Sequence, residues 1–194
     1  MASMVVHDRR LKGLTPAYYN YVMQVNQHIS TNHIVQVVAK RAKEKGRLKR
    51  LHILCHGYES HDIEDMQACL VNARGGFGLQ LGKDNLDLNN YGLTTAWKNL
   101  VDEIVLFACA VADSPNSGKD GDGRRLCGYI ALTTGARVIA ARDTQYYFHA
   151  SDAKPIDFGQ WEGPVYEFTS ANPMGRTITN PNSIKVHRTA ADAA

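Results

Sequence analysis

Three short, nearly unbroken apolar runs punctuate an otherwise mixed chain: "RLHILC" at 50–55, "EIVLFACA" at 103–110 and "ARVIAA" at 136–141. Runs of this length, bounded by polar turns, are the pattern of parallel strands buried on both faces. Strands are therefore expected near 49–55, 103–108 and 137–141. Between and before them the apolar positions fall at helical intervals. "TPAYYNYVMQVNQHIS" (15–30) spaces Tyr18, Val22 and Val25 as a helical stripe, with Thr15 as N-cap and Pro16 in the first turn. "TNHIVQVVAKRAKEKG" (31–46) offers Thr31 or Asn32 as cap and Gly46 as stop. "TTAWKNLVD" and "RRLCGYIALTTG" read as two further helices, the second closed by Gly135, with a shorter one near "IEDMQACLV". "GFGLQLG" alternates like a short strand or hairpin arm, and "PVYEFTS" and "SIKVHR" like late strands. "DSPNSGKDGDG" is an exposed loop, residues from 142 onward a long one, and "TAADAA" a frayed tail.

Strand, helix, strand, helix, strand implies an α/β fold: a mostly parallel central sheet flanked by helices in three layers, with right-handed crossovers and any site at the strands' carboxyl ends. No repeat or linker divides the 194 residues. The expectation is one domain over 1–194, with N-terminal helices up to 47, a core from 48 to 145, and C-terminal loops and late strands from 146 to 194.

Composition changes this picture little. Hydrophobic residues at 44% and charged residues at 21% are ordinary for a globular core, and a net charge of +3 is too mild to indicate a nucleic-acid partner. The densest basic stretch, "KRAKEKGRLKR", reads as a solvated helix end. No apolar run approaches the ~20 residues that span a bilayer, and the start of the chain lacks the apolar core of a secretory signal. A cytoplasmic protein without membrane contact is expected. The four cysteines, at 55, 69, 109 and 127, have no C-x-x-C spacing and read as free thiols in a reducing compartment.

Candidate chemistry gathers at two strand ends. "LHILCHG" and "IVLFACA" each drive a buried strand into a competent residue, His56 in one and Cys109 in the other. A strand-end histidine alone is a structural residue, a ligand or a base. Opposite a cysteine on a neighbouring strand it acquires a purpose, because a thiol needs a base or an electropositive setting to become a nucleophile. Gly57 leaves room for a main-chain N–H to reach a substrate oxygen. Cys55 points to the opposite face and, like Cys127, reads as a small buried hydrophobe. No metal or other cofactor is expected. His52 and His56 lie about 13 Å apart along an extended strand, too far for one zinc even with His61. "GGFGLQL" and "SGKDGDG" lack the spacing of dinucleotide and phosphate loops, and Asp120 and Asp122 read as turn residues.

With these residues in view, the chain resembles the clan CD cysteine peptidases of caspase-like fold, most closely the CHAT-type branch and related caspase-like domains of large bacterial proteins. "HILCHG", "LQLG" with "AWKNL", "IVLFACAVAD" and "LCGYIALTTGARVIAA" carry the likeness across roughly residues 48–145. His-Gly precedes Ala-Cys by about 50 residues, as in caspases. The resemblance implies a cysteine endopeptidase, a thiol hydrolase acting on a protein or peptide substrate. Cys109 would be the nucleophile, His56 the base and leaving-group acid, and the N–H groups of Gly57 and Cys109 the oxyanion hole. The loop from Arg142 to Tyr146, including Asp143 and Thr144, would line the primary pocket. Asp113 and Asp143, with Asp62, Glu64 and Asp65, read either as acids that would bind a basic substrate side chain or as solvated loop charges. Two departures stand out. The Q-A-C-x-G pattern is absent, since Phe107 precedes Ala108 and Ala110 follows Cys109. The 57–75 stretch is long for its place and reads as a lid or recognition insertion. The alternatives are a non-catalytic interaction domain of the same fold or an autoinhibited zymogen. The sequence leaves the oligomeric state open.

Overall fold

The apolar runs form the inner strands of one sheet. The computed structural model describes residues 2–58, 75–118, 121–147, 154–181 and 184. Its strands are β1 (Ala2–Asp8), β2 (Tyr21–Val25), β3 (Leu48–Leu54), β4 (His56–Gly57), β5 (Leu79–Gln80), β6 (Val101–Phe107), β7 (Arg137–Ala141), β8 (Val165–Thr169) and β9 (Asn172–Thr177). The helices are α1 (Thr31–Glu44) and α2 (Gly123–Thr134), with a 3-10 helix over Tyr91–Trp97. Seven strands make the main sheet in the order β2-β1-β3-β6-β7-β8-β9, while β4 and β5 form a separate small hairpin. The five strands from β2 to β7 are mutually parallel; β8 and β9 run antiparallel.

The predicted strands at 49–55, 103–108 and 137–141 are β3, β6 and β7, each within two residues of its expected bounds. α1 starts one residue from the expected cap: Ser30 is the N-cap and accepts from the His33 N–H. α2 ends on Gly135 in the left-handed conformation, as expected. The N-terminal region differs. The stretch 15–30 is not a helix but a loop leading into β2, which pairs in parallel with β1. Tyr18, Val22 and Val25 fit a helical stripe, yet Tyr21, Met23 and Val25 fit alternation equally well, and the inward-facing residues of β2 are those of the alternating set. The expected N-terminal helices thus reduce to α1 alone. The helix expected over 94–102 is the 3-10 turn at 91–97, cut short because Val101 already pairs with Leu48 in the sheet. The expected segment at 63–71 lies outside the described residues, as does that at 183–188 apart from Ile184.

Two clusters of buried side chains line the two faces. α1, α2 and Trp97 pack against Met4, Val6, Leu51, Ile53, Ile104, Leu106, Val138 and Ala140 on one face. The other face, bearing Val5, Leu54, Val105, Phe107 and Ile139, is covered not by helices, among the described residues, but by Leu11, Tyr19, Ile156, Phe158 and Trp161 from the long connections. This follows from crossover handedness. The chain steps from β1 outward to β2 across one face, then returns through α1 and continues to β7 across the other, as right-handed connections require. The direction of winding therefore reverses between β1 and β3. In open α/β sheets that reversal opens a crevice at the carboxyl ends.

Candidate active site at the carboxyl edge

β3 and β6 are neighbours in register, with Leu54 opposite Phe107. The Cys55 N–H extends the ladder to the Phe107 carbonyl at 3.3 Å. One step further the two chains touch: a Cβ built on Gly57 would lie 1.8 Å from the Cys109 carbonyl oxygen and 2.7 Å from its carbon. Only glycine fits at that crossing. His56-Gly57 and Cys109, some fifty positions apart in sequence, are thereby brought together at the same edge of the sheet. Their place, two residues beyond Leu54 and Phe107, puts both on the aromatic-covered face. Cys55 lies on the helix-covered face, wholly buried, as alternation requires.

His56 is half-buried. Its Nε2 lies 3.2 Å from the main-chain carbonyl of Arg10, just beyond the end of β1, and its ring meets Tyr147 edge-on with centroids 6.4 Å apart. A carbonyl can only accept, so Nε2 carries the hydrogen and Nδ1 is the lone-pair nitrogen of the neutral ring. Gly57 pairs with Leu79 across the β4–β5 hairpin, and the next N–H, that of Tyr58, bonds the Gly78 carbonyl at 2.8 Å. Antiparallel pairing alternates, so the Gly57 N–H points away from β5.

Cys109 is the one half-exposed thiol among the described cysteines. Its Sγ donates to the Gln145 carbonyl at 3.4 Å. Burial pushes the thiols of Cys55 and Cys127 well above the ordinary range; Cys69 lies outside the described residues. Ala110, the residue after the thiol, holds φ at +47°, a left-handed conformation that a side-chain-bearing residue adopts only when its surroundings enforce it. Those surroundings are explicit. The Ala110 N–H bonds the Asp143 carbonyl at 3.1 Å, and the Ala110 carbonyl accepts the N–H groups of Gly76 at 2.9 Å and Asp113 at 3.1 Å.

The expected pocket residues divide. Asp113 is engaged in building the turn: its carboxylate accepts from the N–H groups of Gly75 at 3.1 Å and Ser114 at 2.9 Å. Arg142 and Asp143 pair with each other, Nε to Oδ1 at 2.6 Å, on the surface, and the Asp143 carboxylate is closely backed by Gly163. Thr144 is half-exposed on the same loop. Asp62, Glu64 and Asp65 lie outside the described residues. Gln145, which no motif singles out, organises this wall. It is buried, and its amide donates to the carbonyls of Asp143 and Glu162, both at 2.8 Å, and accepts the Glu162 N–H at 3.1 Å. Burial raises the Glu162 carboxyl behind it. Beyond Gly57, a cavity of about 250 Å³ opens between Tyr58, Phe77, Asn85, Asp87, Leu88 and Gly121.

Among the described residues, no group of three or more His, Cys, Asp or Glu is placed to hold a metal ion, and no helix is long and apolar enough to cross a membrane. Asp122 caps α2, taking the N–H groups of Gly118 and Arg125 and the Ser114 hydroxyl; those bonds outweigh its burial and hold its carboxyl below the usual range.

No family model, curated protein or solved structure matches this chain. The edge itself carries the chemistry: a half-exposed thiol on a turn held by the main chains of Asp143, Gly76 and Asp113, an imidazole in a defined tautomer on the adjoining strand, and a Gly57 N–H that points away from β5.

Proposed function

We propose that the chain is a cysteine endopeptidase of the caspase-like kind, with Cys109 as nucleophile and His56 as base. The observation that carries this reading is the contact of the Gly57 and Cys109 main chains, which sets a thiol and a carbonyl-anchored imidazole at one sheet edge. In the reaction, Nδ1 of His56 takes the Cys109 proton, and the thiolate adds to the carbonyl carbon of the scissile peptide bond. Charge builds on the carbonyl oxygen, where the N–H groups of Gly57 and Cys109 are the candidate donors. The imidazolium then returns its proton to the leaving amine as the C–N bond breaks. Water attacks the thioester, His56 accepts a proton from it, and the acid product and free thiol are released. The loop 142–146 beside Cys109 and the cavity beside Gly57 are the surfaces available to substrate side chains.

One observation favours a second reading, a zymogen of the same enzyme. The Cys109 thiol donates to the Gln145 carbonyl, and a thiol hydrogen held there is not offered to His56. Freeing it requires the 143–146 loop to move. Both readings are tested by incubating the chain with a mixed peptide library and sequencing the products. Cleavage after a consistent residue, lost in Cys109→Ala, is expected. Absence of cleavage in the chain as it stands, with activity appearing in Gln145→Ala, assigns the zymogen; cleavage that survives Cys109→Ala refutes both.

A further inference from the structure

The carbonyl that receives His56 belongs to a residue whose own side chain is unusually well held. We infer that Arg10, clamped by Asp8, is the positioning residue for the His56 imidazole. Its catalytic consequence rests on the peptidase reading; its structural consequence does not.

Arg10 lies in the turn that follows β1, where the Asp8 carbonyl accepts the Leu11 N–H at 2.9 Å. The Asp8 side chain is wholly buried and that of Arg10 largely so. Their contact is forked: Nε to Oδ1 at 2.9 Å and Nη2 to Oδ2 at 2.7 Å. The Arg10 N–H also reaches Asp8 Oδ1, at 3.1 Å, so backbone and side chain of one residue grip the same carboxylate. Nη2 lies 2.8 Å from the Gln80 carbonyl and 2.9 Å from that of Gly82, and the Gly82 N–H returns to Asp8 Oδ2 at 2.9 Å. Gln80 is the residue paired with His56 across β4 and β5. One guanidinium therefore fixes both the turn whose carbonyl holds the His56 ring and the strand that holds the His56 main chain. A lysine could supply the charge but not the planar fork. A buried ion pair that merely joined β1 to the hairpin would have no need to converge on the partner and the acceptor of the same histidine.

The test is the tautomer of His56, read from ring-nitrogen NMR shifts of the full chain labelled at histidine, at a pH where the ring is neutral. The wild type is expected to carry its hydrogen on Nε2. Arg10→Lys and Asp8→Asn are each expected to give a mixture of the two tautomers, and to lower kcat about a hundredfold with KM little changed, as misplacement of a catalytic group does. Asp8→Asn keeps the size of the side chain and one acceptor, so it decides the matter if Arg10→Lys fails to fold. A wild type protonated on Nδ1, or folded variants that keep the Nε2 tautomer and full kcat, overturns the inference. A wild type with the Nε2 tautomer but no hydrolysis, in the chain or in Gln145→Ala, counts against the peptidase and leaves the clamp standing.

Discussion

At the scale of single residues, the site depends on what glycine lacks. Adding a methyl group at Gly57 sets it inside the carbonyl of Cys109, so the two strand ends must part. Gly57→Ala should cost about 1–3 kcal/mol, the usual range for overpacking, and should remove hydrolysis, measured by chemical denaturation and peptide cleavage in parallel. Thiol reactivity should be selective. Iodoacetamide should label Cys109 well before Cys55 or Cys127, because only Cys109 is accessible while burial holds the other two protonated; peptide mapping over time reads the order directly. His7 gives a pH signature of its own. It is fully buried, donating from Nε2 to the Leu11 carbonyl and accepting at Nδ1 from the Thr15 hydroxyl, each at 2.8 Å. Burial lowers its pKa, with Arg9 adding to the effect, against the raising influence of the Leu11 carbonyl and Asp8. A histidine with a lowered folded-state pKa contributes stability above its unfolded value, near 6.5, and loses it as pH falls toward the folded value. Stability should begin to decline below about pH 6.5, ahead of any carboxylate, and His7→Gln should delay that decline.

At the scale of elements, a charge ladder crosses the sheet from β3 to β9. Arg50 of β3 pairs with Glu103 of β6, Glu103 with Arg137 of β7, Arg137 with Glu167 of β8, and Glu167 with Arg176 of β9. Burial alone would raise the Glu167 carboxyl, but its bonds from Arg176 and Arg137 outweigh that and lower it. Its contribution is therefore present above the ordinary glutamate pKa and lost as pH falls through the depressed one. Because Arg176 is largely exposed, Glu167→Gln should cost only about 1 kcal/mol at neutral pH, and less at high salt; the difference from wild type should vanish at strongly acidic pH. The register behind this ladder was not legible in the sequence, although the strands themselves largely were. β3, β6 and β7 announce themselves because both faces are buried. β1 does not, because His7 and Asp8 sit inside it, and only the fold supplies the Leu11, Thr15, Arg10 and Gly82 groups that satisfy them. β9 hides behind Pro173 and Gly175, residues tolerated because it is an edge strand. At the site, His56, Gly57 and Cys109 could be named because strand ends are visible. Arg10 and Gln145 could not, because their importance lies in which distant main-chain groups they meet.

At the scale of the whole molecule, the placement of β1 between β2 and β3 has a consequence for how the chain comes to be folded. Met4 pairs with Tyr21 on one side and with Leu51 on the other, and Leu51 in turn lies beside Ile104. During synthesis β1 emerges before either of its neighbours, and it waits for both partners. β2 alone gives it a two-stranded parallel ribbon, which is not stable by itself. β3 arrives only after α1 has been made and must be threaded back beside it, closing a connection whose entropy is lost before its contacts form. Refolding should accordingly be slow for a chain of this size, in the millisecond-to-second range of sheets built from distant pairings. Removing residues 1–10 should abolish folding rather than trim an end, since it takes away an inner strand together with the Asp8–Arg10 clamp. Stopped-flow refolding and circular dichroism of the truncated chain measure the two effects. A base anchored to the turn after β1 cannot be in place until the chain has travelled outward, returned and passed it, so the chemistry at the edge is withheld until the sheet is nearly whole.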